Sequence, residues 1–276
     1  MNDWLSAILG LVLTTAACSG GPPSPPALSY SATAVEAAAY EYADKTVISI
    51  AVMGQRMELS QEGTASFGIR FEPSSDGVDV TLSVQELFAV IDQPMGAPVT
   101  LDGSAVRGNL RFSLDRMGNS TVLERPEVSD IAIQMVSSLG LAHTFFPGLP
   151  GSAVTVGDGW VDTVSYEGPE GPGVRSERAV LRYTATGDTV VAGRPLLVLS
   201  VEGNMESSTD LVVGGMAISQ STIRNITGSV LWDLQNGLMF ESVRTETGSG
   251  TVRVPIAPGP LPIQVEITRR TRLKGN

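Results

Sequence analysis

The residue types that most enzymes use for nucleophilic attack, proton transfer and zinc binding are scarce in this sequence. It contains one histidine, His143, and one cysteine, Cys18. A zinc site built from His and Cys is therefore excluded by count. A His-based serine triad needs a nucleophile beside the imidazole, and no Gly-x-Ser-x-Gly turn presents one. The two lysines, Lys45 and Lys274, are not preceded by serine three residues earlier, so the Ser-x-x-Lys arrangement of penicillin-binding proteins is absent as well.

Acidic residues are numerous, but they do not form a recognisable acid–base or calcium site. Glycoside hydrolysis needs two carboxyl groups about 5–10 Å apart, in a cleft lined by aromatic rings, and aromatic residues make up 5% of this chain. Asp158 and Asp162 flank Trp160, where a turn and the solvated face of a strand explain them. No Asp-x-Asp-x-Asp-Gly calcium loop occurs. We therefore predict a non-enzymatic protein without a metal or cofactor.

The charge of the chain argues against a nucleic-acid partner. Its formal net charge is −11 over 276 residues, whereas binding to phosphates requires a basic surface. The basic residues that cluster near the C-terminus are Arg269, Arg270, Arg272 and Lys274. Because Ile263, Val265 and Ile267 alternate just before them, we predict that these basic residues form the solvated side of a last strand and a frayed tail.

An apolar run occupies residues 4–13. A helix that crosses a bilayer needs about 20 apolar residues, so this run is too short to span one. Its length is typical of the core of a signal peptide. We therefore predict that residues 1–17 are a signal peptide and take no part in the fold.

The residues that follow the run, Leu-Thr-Thr-Ala-Ala-Cys at 13–18, resemble the lipobox of bacterial lipoproteins. The resemblance implies that Cys18 is lipidated and anchors the protein to a membrane. Cys18 is the sole cysteine, so it cannot form an internal disulfide, and this agrees with its lipidation. The family usually has Leu where Thr15 stands, and Asp3 replaces the usual base before the run. An ordinary signal peptide beside a chance cysteine, and a short interfacial anchor, are the alternatives.

A tether follows the cysteine. Residues 19–26 consist of Ser, Gly and Pro, a composition that favours an extended, swivelling spacer. We predict a lipid-carrying cysteine and tether over residues 18–28 and a single β-rich domain over residues 29–276. In lipoproteins of double-membraned bacteria, Asp after the lipidated cysteine favours the inner membrane. Ser19 at that position implies the outer membrane, facing the periplasm.

The body of the chain alternates apolar and polar residues with the period of a β-strand. Val78, Val80 and Leu82 alternate with polar residues, which predicts a strand with one buried and one solvated face. The same pattern occurs over 67–72, 110–115 and 263–268, and further strands are predicted within 46–60, 160–166, 179–186, 195–201, 217–234, 239–245 and 251–254. Strands with one solvated face pair antiparallel. Turns are predicted at Gly54, at residues 117–119, 187–188, 214–215 and 248–250, and most strongly at Asn236-Gly237.

One helix interrupts the strands. The residues predicted to share its apolar face are Val128, Ile131, Ala132, Met135, Val136 and Leu139. Pro126 is predicted at its start and Gly140 at the C′ position just past its end. We expect this amphipathic helix to pack on the sheet. His143 would then lie near the helix end beside Phe145 and Phe146, where a structural imidazole is predicted.

Two segments carry a second resemblance. Residues 149–160 (Leu-Pro-Gly to Val-Gly-Asp-Gly-Trp) and 232–238 (Trp-Asp to Asn-Gly-Leu) look like segments of uncharacterised periplasmic lipoproteins. With one helix against a long series of strands, the pattern is similar to the half-barrel of the LolA and LppX lipoprotein carriers. The strand pattern itself predicts a mainly β fold, with one large curved antiparallel sheet as a half-barrel or with two sheets face to face as a sandwich. The resemblance implies the curved sheet, whose concave apolar face would shelter an acyl chain.

The function that follows is binding of a lipid-like or other apolar ligand by a lipid-anchored envelope protein. The ligand-binding residues predicted on this basis are Met135, Leu139, Phe145, Phe146 and Trp160. For the Phe145-Phe146 loop, plugging the core is the simpler interpretation, and for Trp160 it is a packed indole. The alternative function is an envelope scaffold that binds other proteins and has no ligand cavity.

Overall fold

The computed structural model describes residues 27–30, 35–52, 54–92, 96–129, 132, 137–213 and 215–275. It contains fourteen strands within these ranges: β1 Ala37–Val52, β2 Gln55–Pro73, β3 Gly77–Asp92, β4 Val99–Asp102, β5 Val106–Arg107, β6 Asn109–Asp115, β7 Ser120–Glu124, β8 Glu127–Val128, β9 Gly159–Glu170, β10 Gly173–Val191, β11 Arg194–Val213, β12 Met216–Asp233, β13 Leu238–Arg253 and β14 Leu261–Leu273. A helix, α1, spans Ser138–Thr144, and a 3₁₀ turn spans Gly103–Ala105. No helix of these parts is long and apolar enough to cross a membrane.

Twelve of the strands form one antiparallel sheet, which curves into a half-barrel. Its order is β7-β6-β3-β2-β1-β14-β13-β12-β11-β10-β9, with β4 paired to the end of β3. β5 and β8 make a separate two-stranded ribbon. The fold class predicted from the alternation is therefore confirmed.

The pairing of β1 with β14 joins the two halves of the sheet. It runs from Tyr40 opposite Leu273 to Ile50 opposite Ile263 without interruption. On one side of this pair lie the strands before residue 130, and on the other side lie β9 to β13. β7 and β9, which are near neighbours in the chain, thus become the two outer edges of the sheet.

Alternation predicts which side chains are buried in the clearest strands. Val78, Val80 and Leu82 are buried on the concave face of β3. The corresponding residues of β2, β6 and β14 are buried too: Phe67, Ile69, Phe71, Leu110, Phe112, Leu114, Ile263, Val265 and Ile267. The period-two pattern therefore gave the inward face of these strands correctly.

An aromatic core closes one end of the half-barrel. Phe145 packs edge-on against Tyr40 and Phe67, with ring centroids 5.4 and 5.9 Å apart. Tyr30 contacts Phe146 in the same way at 5.9 Å, and its hydroxyl donates to the carbonyl of Pro147 at 2.8 Å. The Phe145-Phe146 loop is thus a plug of the core, as the simpler interpretation predicted.

The helix prediction is confirmed at Ala132, which is helical and buried, but it is wrong at its start and at its end. Val128 pairs with Val106 in the β5–β8 ribbon, so the predicted helix face does not begin there. Helix α1 begins after Ser137, whose hydroxyl accepts the amide of Gly140 at 2.7 Å as an N-cap. Gly140 therefore lies in the first turn instead of ending the helix. Ile131, Met135 and Val136 lie outside the described residues.

Helix α1 bridges the two edges of the open sheet. It packs against β6 and β7 on one side and β9 on the other. His143 contacts both edges: its Nδ1 lies 2.5 Å from Ser120 Oγ on β7, and its ring stacks on Tyr166 of β9 at 4.6 Å. The predicted packing of a helix on the sheet is therefore confirmed, and its place is the gap between the sheet's edges.

Two predicted turns are parts of long strands. Residues 187–188 belong to β10, directly after a shift in its pairing register with β11. The turn comes later, at Ala192-Gly193, where both residues have a positive φ. Residues 248–250 lie inside β13, where Gly248 faces Arg224 of β12. The predictions at Gly54, Gly118, Gly215 and Gly237 are confirmed, because each glycine has a positive φ in a hairpin turn.

Glycines inside the strands allow the sheet to coil tightly. A Cβ on Gly228 of β12 would lie 2.2 Å from the carbonyl oxygen of Val243. A Cβ on Gly248 of β13 would lie 2.1 Å from that of Ile223. Real Cβ atoms do not approach backbone oxygen this closely, so a side chain at either position would push neighbouring strands apart.

We expect Gly228→Ala to lower the free energy of unfolding by about 1–3 kcal/mol, the usual range for overpacking in a tightly packed site. Urea unfolding followed by circular dichroism measures the change. Gly187→Ala is the matched control, because a Cβ there has no heavy atom within 4 Å. Equal stability of the two variants would contradict this account of the curvature.

Candidate functional site

The concave face of the half-barrel encloses a cavity of about 390 Å³. Ligand pockets commonly measure about 300–1,000 Å³, so its size suits a small molecule. Its apolar lining residues lie near the strand ends opposite the aromatic core: Ile48, Ile50, Leu59, Leu87, Ala89, Ile91, Leu211, Ile218, Val252, Ile263, Val265 and Ile267. Several of them, including Ile50 and Ile218, are only half-buried. The cavity thus reaches the solvent at this end, which we call the apolar mouth.

The apolar mouth is formed by several strands in register. Ile50 of β1 lies opposite Ile263 of β14, and Ile48 lies opposite Val265. Val252, Ile263, Val265 and Ile267 form one buried cluster with residues of β1 and β12 packed against it. A wall of branched aliphatic side chains is suited to an alkyl chain, since it offers no hydrogen-bonding groups.

Between the mouth and the aromatic core lies a belt of inward-facing charged residues, which we call the charged belt: Arg175, Glu177, Arg224, Arg244, Glu246, Arg269 and Asp44. Arg224 binds Glu246 at 2.6 Å and Glu177 at 3.3 Å. Arg175 binds Glu177 at 2.7 Å. Arg269 binds the second oxygen of Glu246. Each of the two glutamates thus binds two arginines. Glu177 binds Arg175 of its own strand, β10, and Arg224 of β12, whereas Glu246 of β13 binds Arg224 and Arg269 of the strands on either side.

Burial makes these ion pairs interdependent. Burial opposes ionisation of Glu177, but the guanidiniums of Arg175 and Arg224 outweigh it and lower its pKa to about 2. Burial likewise opposes the charge on Arg269, and Glu246 outweighs that and raises its pKa. Because a buried charge without a partner is costly, loss of one partner would destabilise the others. Glu177 and Arg269 therefore keep their charges at neutral pH.

Asp44 is the carboxyl group of the charged belt whose pKa is raised. Burial raises its pKa to about 6, although Arg269 acts in the opposite direction. Gln61 Nε2 donates to its Oδ2 at 3.4 Å. Asp44 lines the cavity close to the apolar mouth, so near neutral pH this part of the wall changes charge.

The residues predicted from the sequence to bind a ligand are only partly together. Phe145 lines the inner end of the cavity. Phe146 is buried in the aromatic core and does not line the cavity. Trp160 stacks on Tyr183 at 5.4 Å and donates from Nε1 to the carbonyl of Gly148 at 3.0 Å. Leu139 belongs to α1; Met135 and Cys18 lie outside the described residues.

The prediction for the basic C-terminal cluster is wrong for Arg269. Arg270, Arg272 and Lys274 are exposed, as predicted. Arg269, however, has the same parity along β14 as Ile267 and therefore points inward to Glu246. Strand β14 also continues to Leu273, so the segment is not frayed. Arg269 follows Ile263, Val265 and Ile267 at intervals of two residues, and side chains at that interval share one face of a strand. This spacing was a signal that could have placed Arg269 on the inner face.

The other belt residues carry a weaker sequence signal. Next to the buried Arg224, the hydrophobic Ile223 points outward and is 62% exposed. Hydrophobicity would therefore assign the outer face of β12 to the core. Ser242, Arg244 and Glu246 share the inner face of β13 while Val243 points outward. Strands with polar residues on both faces do not reveal which face is buried, and hence these residues were missed.

His143 and Ser120 are the one pair that resembles a nucleophile and a base. Burial, and then the charge of Arg125, lowers the pKa of His143. Among the described residues no carboxylate accepts a hydrogen bond from the imidazole, whereas a triad needs such a group to orient it. Nor do these residues contain a cluster of His, Cys, Asp and Glu able to hold a metal ion. The pair's evident contribution is to join α1 to β7.

Comparisons with known proteins find no matching family model and no matching curated protein. Thirteen chains of solved structures match the fold. One is the β domain of the Bordetella autotransporter BrkA, with 8% identity and a TM-score of 0.29 over 86% of this chain and 99% of that chain. A BenF-like porin from Pseudomonas fluorescens Pf-5 has 8% identity and a TM-score of 0.24, over 87% of this chain and 99% of its own. Pseudomonas aeruginosa OpdQ has 9% identity and a TM-score of 0.23, over 87% and 98%. TM-scores this low support no inference about this chain.

We expect Asp44→Asn to stabilise the protein at neutral pH and to leave it unchanged below about pH 4. The pKa of Asp44 is higher in the folded state, at about 6, than its ordinary value of 3.8. Its contribution to stability is therefore complete below pH 3.8 and is lost as the pH rises through 6. Two pK units at about 1.4 kcal/mol each set an upper limit of about 3 kcal/mol.

Thermal unfolding of Asp44→Asn and the parent between pH 4 and 8 measures this difference. The exposed Glu62 of β2 provides the matched control, and Glu62→Gln should leave the pH profile unchanged. A parent that gains stability relative to Asp44→Asn as the pH rises would contradict the environment described for Asp44.

Proposed function

We propose that this chain is a lipid-anchored protein of the bacterial cell envelope that binds a lipid-like ligand in the half-barrel and performs no catalysis. The observation that carries the proposal is the cavity of about 390 Å³ with its aliphatic mouth and charged belt. An alkyl chain would contact the branched side chains of the mouth, and a polar headgroup would reach the charged belt.

The arrangement of the walls supports this ligand class. Protein interiors are normally packed to the density of organic crystals, so a lined space of this size inside a sheet needs an explanation. The aromatic core fills one end, and α1 contributes Gly140, Leu141 and Thr144 to the cavity wall. What is left is a space with an apolar and a polar part, which matches the two parts of an amphiphile.

The same cavity argues against the scaffold alternative. A scaffold that binds proteins through its surface has no need for a buried charged belt, because burial of charge is costly. Such a protein would be expected to fill its interior with its own side chains. The half-barrel with one packed helix also agrees with the pattern that the sequence shares with the LolA and LppX carriers.

The proposed anchor rests on the sequence. The lipobox-like residues 13–18 and the tether at 19–26 precede the body, and Leu28 is held to it by a hydrogen bond to Ser152 at 2.9 Å. A lipid on Cys18 would keep the cavity within a tether's length of a membrane. Ser19 supports the outer membrane, on its periplasmic side.

We expect protein purified from membranes in mild detergent to contain a co-purified lipid, detected by organic extraction and mass spectrometry. Thr222→Phe places a ring in the cavity, because Thr222 is buried and lines it. The ring should reduce the bound lipid at least about tenfold, since small-to-large changes leave no room for the ligand. Ile223→Phe, one residue further on the outer face, should retain the lipid. Repeatedly empty parent protein, or equal lipid in both variants, would count against the carrier.

We expect Cys18→Ser to move the protein from the membrane to the soluble fraction and to remove the acyl mass from its N-terminal peptide. Fractionation and intact-mass measurement give the two readouts, with Ser19→Ala as the control that keeps the thiol. The proposed anchor fails if the parent carries no fatty acyl group at Cys18 and leaves the membrane without detergent.

A further inference from the structure

Arg244 is the inward arginine of β13 at the inner end of the cavity. It is 9% exposed. Its Nη2 donates to the hydroxyl of Tyr183 at 3.2 Å, and its Nε has no hydrogen-bond partner. It is thus a buried guanidinium whose bonding capacity is only partly used.

The other three arginines of the charged belt are paired. Arg175, Arg224 and Arg269 each lie within ion-pair distance of Glu177 or Glu246. Arg244 makes no such pair with any described residue. A carboxylate oxygen and a guanidinium are the usual partners when charges are buried, so Arg244 is the exception in this belt.

Asp162 of β9 is the carboxyl group whose charge acts on Tyr183 together with Arg244, but it lies beyond ion-pair distance of Arg244. Its oxygens accept the backbone amides of Gly148 and Thr163. Asp162 is therefore used by the loop that plugs the core. Arg244, which lines the cavity, has no carboxylate partner among the described residues.

The geometry of β13 relates this donor to the apolar mouth. Arg244 and Val252 share the inner face and are eight residues apart, which corresponds to about 26 Å at 3.3 Å per residue. One lipid leaflet is about 15 Å thick, half of the hydrocarbon core. An alkyl chain of about 15 Å that begins at Arg244 therefore fits within the distance between Arg244 and the mouth.

We infer that Arg244 binds the headgroup of an anionic single-headed amphiphile, a carboxylate or a phosphate monoester, whose alkyl chain lies toward the apolar mouth. The inference rests on the proposed function and names the class of its ligand. An anionic oxygen in the cavity would accept from the guanidinium of Arg244, which lines it, and would pair with its charge. A neutral lipid would leave this charge unpaired.

The test compares three ligands with one alkyl chain on the full-length Cys18→Ser chain after removal of bound lipid. Oleate, 1-oleoyl-lysophosphatidic acid and uncharged 1-oleoylglycerol each compete with a fluorescent fatty acid, below their micelle concentrations. We expect at least one anionic ligand to bind about tenfold or more tightly than 1-oleoylglycerol. The tighter of the two anions identifies the carboxylate or the phosphate.

Arg244→Gln should reduce binding of the preferred anion about tenfold or more and change binding of 1-oleoylglycerol by less than about twofold. Its unfolding temperature without ligand should equal or exceed that of the parent, because a poorly paired buried charge is removed. Arg244→Lys keeps a charge but loses the fork, and an intermediate affinity is expected. Arg178→Gln, exposed on the outer face of β10, is the control with parental affinities.

The outcomes separate the two proposals. If no ligand binds the parent, the carrier function and the inference both fail. If 1-oleoylglycerol binds as tightly as both anions, or if Arg244→Gln keeps the preference for an anion, the carrier function stands and the role of Arg244 is wrong. Should Arg244→Gln fail to fold, Arg244→Lys decides, since parental affinity for the anion in that variant would also overturn the inference.

Discussion

The pairing of β1 with β14 is the constraint on which the rest of the structure depends. Its hydrogen-bonded register brings residues near 40 opposite residues near 270, and so it converts two series of hairpins into one continuous sheet. Contacts between such distant parts of a chain cost more loop-closure entropy than local hairpins do. The twelve inner-face residues that this pair presents, six on each strand, must therefore gain enough by burial to compensate. They comprise parts of the aromatic core, the charged belt and the mouth.

Curvature is the second requirement, and it comes from backbone positions without side chains. At Gly228 and Gly248 the neighbouring carbonyl oxygens approach to 2.2 and 2.1 Å of where a Cβ would be. A coiled sheet surrounds a space on its concave side. Here the aromatic rings of the Phe145-Phe146 loop fill one end, and the paired arginines and glutamates prevent collapse in the middle. The cavity thus results from the curvature of the sheet and from the aromatic and charged side chains that line its concave side.

The open sheet leaves two edges, and helix α1 covers the gap between them. A sheet edge exposes unpaired backbone groups that favour association with other chains. His143 contacts Ser120 on β7 and Tyr166 on β9, and Arg125 donates to the carbonyl of Pro169 on β9 at 2.5 Å. These side chains replace the backbone ladder that a closed sheet would have. The same helix forms part of the cavity wall, which links closure of the sheet to the proposed binding site.

The sequence by itself determined the mainly β class, the antiparallel pairing, the buried face of β3, β6 and β14 and the turns at Gly54 and Gly237. These features depend on local alternation and on positive φ, which neighbouring residues specify. The lipobox-like motif likewise needs no structure to be read. The predicted helix began too early because Val128 pairs with Val106 in a ribbon, a contact that local helical periodicity does not reveal.

Only the tertiary structure decided where the charged belt lies. Arg224, Arg244 and Glu246 occur on strands whose two faces both carry polar residues, so their alternation does not show which side is inside. That choice follows from the register between β10, β11, β12, β13 and β14, which places Arg224 beside Glu177 and Glu246, and Arg269 beside Glu246. These cross-strand partners are set by strand order, a property of long-range pairing that no short stretch of sequence contains.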